Sequence, residues 1–277
     1  MYKKLLILLI TAITTTLSAE PSNEPVVTAK KYIEYKYANG HAHESAMPKI
    51  VLICYQESAF EHILQMHPEA KRSAAITNLY LIGNGSIGIL GKWGVGSPAL
   101  AIKMEQMIAH GIKKFVAIGI AGTLLPTQKV GDYVFCPKAL AEDGVSQHYL
   151  APNTDFAEAS KSMIISWNEF AKKEALPAFH TTAAWSFSAI YRESPAHISR
   201  VKKLGCGVVE MEAAALFAIG QKQQAETLTH FVVSDTVFEE EWTPHLREPA
   251  VRNNLNKLAE WALAFCKQTT TQDVQDL

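Results

Sequence analysis

Apolar and polar positions along this chain switch repeatedly between short continuous runs and a helical period, the pattern of strands interleaved with helices. Lys49 to Tyr55 is a nearly continuous apolar run, as expected of a strand buried on both faces, and Glu57 to Met66 after it has helical spacing. Leu79 to Ile82 and Ile87 to Trp93 read as two strands of a hairpin joined through Gly83-Asn84-Gly85, where the Asn-Gly pair supplies the positive φ of a tight turn. Pro98 to His110 carries Leu100, Ile102, Met104, Met107 and Ile108 at helical intervals, with Pro98 in the first turn and Gly111 at the end. Phe115 to Ile120 is another buried strand ending at Gly119 and Gly122, and Asp132 to Pro137 continues the series. Strand, helix, strand implies parallel pairing.

Beyond a polar loop from Ala141 to Asp155, the spacing predicts a long helix over Phe156 to Ala175, a strand near Phe179 to Ser186 and a helix near Pro195 to Leu204. Val208 to Glu210 then leads into an Ala-rich helix from Glu212 to Gln223, followed by a strand at Leu228 to Ser234 and a closing helix at Val251 to Cys266. No internal repeat or long linker interrupts the series, so residues 48–277 read as one α/β domain around a mixed sheet.

The N-terminus departs from this pattern. Lys3 and Lys4 precede an apolar run from Leu5 to Ile13 and then Leu17-Ser18-Ala19, which reads as a secretory signal over residues 1–19. The run is well short of the roughly 20 residues of a spanning helix, so export to the periplasm or medium with removal of the signal is expected over a permanent anchor. Residues 20–47, with His41 and His43, show no sustained period and read as an N-terminal arm.

Composition narrows the partners. A formal net charge of −1, from 26 basic and 27 acidic residues, supplies no global field for nucleic acid or an anionic membrane, which leaves a small molecule as the expected partner. Cys54, Cys136, Cys206 and Cys266 are an even number, which permits a disulfide, but they are too far apart for zinc-type pairs, so no metal is expected.

Three places carry candidate chemistry. Gly94-Val95-Gly96-Ser97-Pro98 sets glycines and a hydroxyl before a helix start, where free N–H groups hold an anion or small residues simply make a turn. Glu210 and Glu212, in Cys206-Gly207-Val208-Val209-Glu210-Met211-Glu212, lie at a strand-to-helix junction. There a carboxylate complements the helix dipole or accepts from the two hydroxyls of a ribose. Phe231-Val232-Val233-Ser234-Asp235 ends a buried strand at the carboxyl edge where α/β sheets bind ligands; Ser234 and Asp235 are there either an N-cap or part of a proton-donating site.

Taken in order, Gly94 to Pro98, Ile118-Gly119-Ile120-Ala121-Gly122, Val209-Glu210-Met211-Glu212-Ala213-Ala214 and Val233-Ser234-Asp235 resemble the nucleoside phosphorylase-I family. Glu142 to Tyr149, which includes His148, looks like the uridine phosphorylase loop, and Ile190-Tyr191-Arg192-Glu193 is similar to the family's base-site segment. The resemblance, from about Lys49 to Cys266, implies a three-layer α/β sandwich with a central mixed, largely parallel sheet. It further implies homo-oligomers built from dimers, a nucleoside substrate, inorganic phosphate as co-substrate and no cofactor. A neighbour's N-terminal histidine, His41 or His43 here, would complete the pocket. By the same resemblance Met211 and Glu212, beside Glu210, would hold the ribose, and Asp235, beside Ser234, would protonate the leaving base. Ile190 and Tyr191 would line the base pocket, Gly96 the phosphate side, and Arg247 would modulate Asp235.

The departures bear on the acceptor. Where phosphorolytic members have Gly-Asp-Pro-x-Arg, this chain has Cys54-Tyr55-Gln56-Glu57-Ser58, and Ala117 stands where a second arginine lies. Losing two guanidinium contacts of about 1.5–3 kcal/mol each weakens phosphate binding unless Lys92 or Arg192 compensates. A nucleosidase that uses water, or a nucleoside-binding protein without activity, therefore stand as alternatives to a purine-preferring phosphorylase.

Overall fold

The apolar run after Lys49 forms a strand with all five residues buried, and the elements that follow assemble around it. The computed structural model describes residues 24–43 and 46–275, so the expected signal segment lies outside the described residues. In chain order the elements are α1 (Ala29–Ala38), β1 (Ile50–Cys54), α2 (Glu57–Met66), β2 (Lys71–Arg72), β3 (Leu79–Ile82), β4 (Ile87–Leu90) and α3 (Ser97–Ala109). Then come β5 (Lys114–Thr123), β6 (Tyr133–Phe135), β7 (Lys138–Glu142), β8 (Phe156–Glu158), α4 (Lys161–Lys173), β9 (His180–Thr181) and β10 (Ala183–Phe187). The chain closes with α5 (Pro195–Lys203), β11 (Cys206–Glu210), α6 (Ala213–Gln223), β12 (Glu226–Val237), β13 (Trp242–Pro244) and α7 (Pro249–Gln275).

One mixed sheet runs β2-β3-β4-β1-β5-β11-β10-β7-β8, and β12 joins it through β5 while also pairing β6 and β13. The central ladders β4/β1, β1/β5, β5/β12, β11/β10 and β10/β7 are parallel, whereas β5 meets β11 antiparallel. Helix α7 packs on β1, β5 and β12 together with α2, and α6 packs on β7, β8, β10 and β12 together with α3, which gives the three layers the resemblance implies. Phe115, Phe217, Phe231, Phe265 and Trp185 are fully buried between them. At roughly 1.5–3 kcal/mol per large apolar side chain removed from water, these contacts dominate the stabilisation of the domain.

Several elements differ from the spacing-based reading. The N-terminal arm contains α1, capped by Thr28, whose hydroxyl accepts from Lys31 N at 3.2 Å; only Ile33 on it is buried, so no apolar period announces it. Phe156–Glu158 is a strand instead of the first turn of a helix because it pairs with β7, itself hidden in what reads as a polar loop, and α4 starts only after Ser160. The strand expected near Phe179 to Ser186 is split into β9 and β10, which join different neighbours, β6 and β7. Gly119 and Gly122 do not end β5 but lie within it: a Cβ at Gly119 would come 2.7 Å from Tyr55 Cδ2, so the glycine serves close packing. The Asn84 turn has the expected positive φ, 56°. All four cysteines are buried and free.

Candidate active site

The carboxyl ends of β11, β5 and β12 meet at one point of the sheet. Gly122 of β5 is in register with Val209 on one side and with Asp235 on the other, so the two acidic segments singled out in the sequence flank a single glycine. A Cβ at this glycine would lie 3.0 Å from Asp235 Oδ2 and 2.7 Å from Val237 Cγ2, too close for any side chain.

Glu210 and Glu212, both buried, are given different work. Glu210 Oε2 accepts from the N–H groups of Glu212 and Ala213, each at 2.7 Å, and Oε1 accepts from the Ser186 hydroxyl, which in turn receives Ala214 N–H at 2.8 Å. Its carboxyl therefore closes the N-terminus of α6, with both oxygens occupied. Glu212 Oε1 accepts Gly96 N–H at 2.5 Å, and the Met211 N–H is a second backbone donor to the same carboxylate. The same junction is pinned by Ser97 Oγ donating to Met211 O at 2.8 Å, and Met211 lies against Gly96, whose φ of 82° requires glycine. Burial raises the Glu212 carboxyl to about 7 against the pull of the Gly96 N–H, with the Asp143 charge adding to the rise. Burial and then the Glu212 charge push Glu210 up to about 8.

Asp235, 9% exposed, accepts the Ser234 hydroxyl on Oδ1 at 2.5 Å and the Trp242 indole N–H on Oδ2 at 2.8 Å. Ser234 Oγ also lies 3.3 Å from Ala121 O. Glu193, half-buried at the end of the turn Ile190–Arg192, feels this site: burial and then the charge of Asp235 raise its carboxyl to about 7. The result is a polar cluster in which one carboxylate, Glu212, faces a glycine-rich helix start and another, Asp235, faces a short flap.

Sequence reasoning did not single out Trp242, Glu193 or Asp143. Trp242 belongs to a three-residue strand no period reveals, and only long-range pairing with Asp235 to Val237 places it. Asp143 and Ser146, not His148, are the buried residues of the Glu142 to Tyr149 loop; Asp143 Oδ1 accepts Ser146 N–H at 3.2 Å. His148 is exposed, as is Arg247 in the turn before α7. Ile190 and Tyr191, expected to line a base pocket, are 43% and 95% exposed. His43 stacks on Tyr37 of its own chain with ring centroids 3.5 Å apart, and His41 is exposed beside it. Lys92 is held by Glu57 and Glu61, each at 2.7 Å. Tyr55, in the segment where the resemblance places an arginine, packs between Trp93 and Phe231.

Comparison with known proteins gives the same architecture. A chain of purine nucleoside phosphorylase from Toxoplasma gondii in complex with immucillin-H superposes with a TM-score of 0.71 over 82% of this chain and 93% of that one, at 18% identity. Campylobacter jejuni 5'-methylthioadenosine/S-adenosyl homocysteine nucleosidase superposes at 0.66 over 80% of this chain and 100% of that one, at 14% identity. In sequence, the purine nucleoside phosphorylase of Plasmodium vivax is 33% identical over 143 residues, half of this chain (50%), and the match spans 58% of that protein's own length. The family model described as the phosphorylase superfamily matches residues 49–267, from the lysine before β1 into α7, so the chain belongs to that superfamily.

Proposed function

We propose that this chain cleaves the N-glycosidic bond of a purine nucleoside by phosphorolysis, releasing the free base and ribose 1-phosphate. The observation that carries this reading is the pair of buried carboxylates, Glu212 just beyond β11 and Asp235 in β12, on the two segments that flank Gly122. As the bond from C1' to the base nitrogen breaks, its electron pair leaves with the base and positive charge grows on the sugar. A site that stabilises both ends lowers the barrier. Glu212 would accept from the ribose hydroxyls and oppose the sugar's charge. Asp235 would deliver a proton to the imidazole nitrogen of the purine, the end of the base that leaves with the bonding electrons. A phosphate oxygen would then form the new bond to C1' from the side of Gly94 to Ser97. Purine is favoured over pyrimidine because an acid at Asp235 has work to do on a purine leaving group. The names of relatives such as the Plasmodium vivax protein support the same reading.

A second reading, with water in place of phosphate, is favoured by one specific feature. The Gly96 N–H and the Lys92 ammonium, two donors on that side, are already engaged by carboxylates, Glu212 and the Glu57–Glu61 pair. The deciding experiment is base release from purine and pyrimidine nucleosides, followed by chromatography with and without phosphate. Phosphate-dependent release of a purine with ribose 1-phosphate is the expected result. Release with free ribose in phosphate-free buffer would replace phosphorolysis by hydrolysis. No release from any nucleoside would refute both.

A further inference from the structure

The hydrogen bonds of Asp235 raise a question of access. Oδ2 has the β5 backbone at Gly122 on one side and the Trp242 indole N–H at 2.8 Å on another, while Oδ1 is taken by Ser234 at 2.5 Å. An indole N–H is a donor only, with no lone pair to receive a proton. With Gly122 on one side and the indole on another, Oδ2 is covered, and a base nitrogen comes within hydrogen-bond reach of it only after the indole has moved aside.

The indole itself is placed for such a move. Trp242 is 59% exposed, so little packing holds its ring in place. Its strand, β13, has only three residues, paired antiparallel with Val237, Thr236 and Asp235. The residue opposite Asp235 is Pro244, which has no N–H to give the ladder. The preceding turn is tied down by Phe238 N–H to Glu241 O at 3.0 Å and by the Lys202–Glu239 ion pair at 2.8 Å. Beyond the strand, His245 N–H donates to Ser234 O at 3.2 Å, so the backbone of β13 is held at both ends and the movement falls to the exposed indole ring.

Resting on the assignment of Asp235 as the acid, we propose that Trp242 is a positioning residue that gates it: the indole N–H occupies Oδ2, and the purine imidazole nitrogen reaches Asp235 by displacing it. The indole and the base thus compete for the space beside Oδ2. A purine, whose ring nitrogen accepts the proton that Asp235 gives, gains a hydrogen bond there in exchange for the indole's, whereas a pyrimidine nucleoside has no imidazole ring with which to do so. The gate is therefore also a filter for the class of base.

The test uses the full chain labelled with nitrogen-15 and two purine nucleosides that cannot be cleaved because a carbon replaces the glycosidic nitrogen, 9-deazainosine and 9-deazaadenosine. The chain has five tryptophans, and the indole N–H signal missing from Trp242→Phe identifies Trp242. Saturation with the analogue that binds should move that signal to the position of a water-exposed indole, leaving those of buried Trp167 and Trp185 in place. Trp242→Phe, which keeps the ring and removes the competing donor, should lower KM for the purine nucleoside about three- to tenfold, the worth of one net hydrogen bond, and raise kcat/KM accordingly. An unmoved Trp242 signal while the Gly122 and Asp235 amides report binding, or a fall in kcat/KM in Trp242→Phe, overturns the gate and leaves the reading of Asp235 intact. Failure of both analogues to bind, together with no base release by the unaltered chain, overturns that reading and the gate with it.

Discussion

Two glutamates two positions apart carry different loads, and substitution separates them. Glu210 closes α6 through both oxygens, so Glu210→Ala should cost about 1–3 kcal/mol of stability in urea titrations, the range for an N-terminal cap that leaves buried N–H groups unpaired. Glu212→Gln should fold and keep its contact with Gly96 yet lose about 100- to 1000-fold in kcat, since it removes charge aimed at the transition state. The two carboxyls also make stability depend on pH. Both titrate well above the ordinary value of 4.5 in the folded chain, Glu210 at about 8 and Glu212 at about 7. The folded chain therefore holds protons that the unfolded chain releases. Their contribution is complete below about pH 4.5 and is lost as pH rises through 7 to 8. Glu210→Gln, which cannot ionise, should gain on the unaltered chain by on the order of 2 kcal/mol between pH 5 and 8, read from urea midpoints at each pH.

At the scale of elements, the site exists because β5 runs straight through its glycines and brings β11 and β12 within one residue's width. Gly122→Ala should place its methyl against Asp235 Oδ2 and Val237, with base release reduced more than thermal stability; equal losses in both would mean that Gly122 serves packing alone. Much of this was legible in the sequence. The buried runs of β1, β5 and β12 and the helical periods of α2, α3 and α6 announce themselves because each buries a continuous face. Glu210, Glu212 and Asp235 stood out as acids between apolar runs. What stayed hidden has a common cause. α1 buries one residue, β8 exists only through β7, and β13 is three residues long, so none carries a local signal strong enough to be heard without its partner. Trp242 was unreadable for that reason, whereas Glu193 stood in a segment the sequence did mark, without a sign that it faces Asp235.

At the scale of the whole molecule, another buried titrating group, His230, lies on β12 with Asp235. His230 lies fully buried among Trp167, Phe135 and Phe179, with neither ring nitrogen hydrogen-bonded among the described residues, and burial lowers its imidazolium to about 3 from the usual 6.5. The unfolded chain takes up this proton first, so the stability His230 allows is complete above about pH 6.5 and is lost as pH falls towards 3. His230→Leu should flatten the acid side of the stability profile relative to the unaltered chain, and an unchanged acid slope would show that the imidazole is relieved by water or a local opening. Set against the two glutamates, this group places the maximum of their combined contribution near pH 4.5. The central claim, that Asp235 protonates the leaving base, is tested most directly by comparing a purine nucleoside with p-nitrophenyl riboside, whose leaving group needs no proton. Asp235→Asn should lose about 100-fold or more of its activity on the purine nucleoside while keeping most of it on p-nitrophenyl riboside; equal losses on both, or undiminished purine release, would contradict the account.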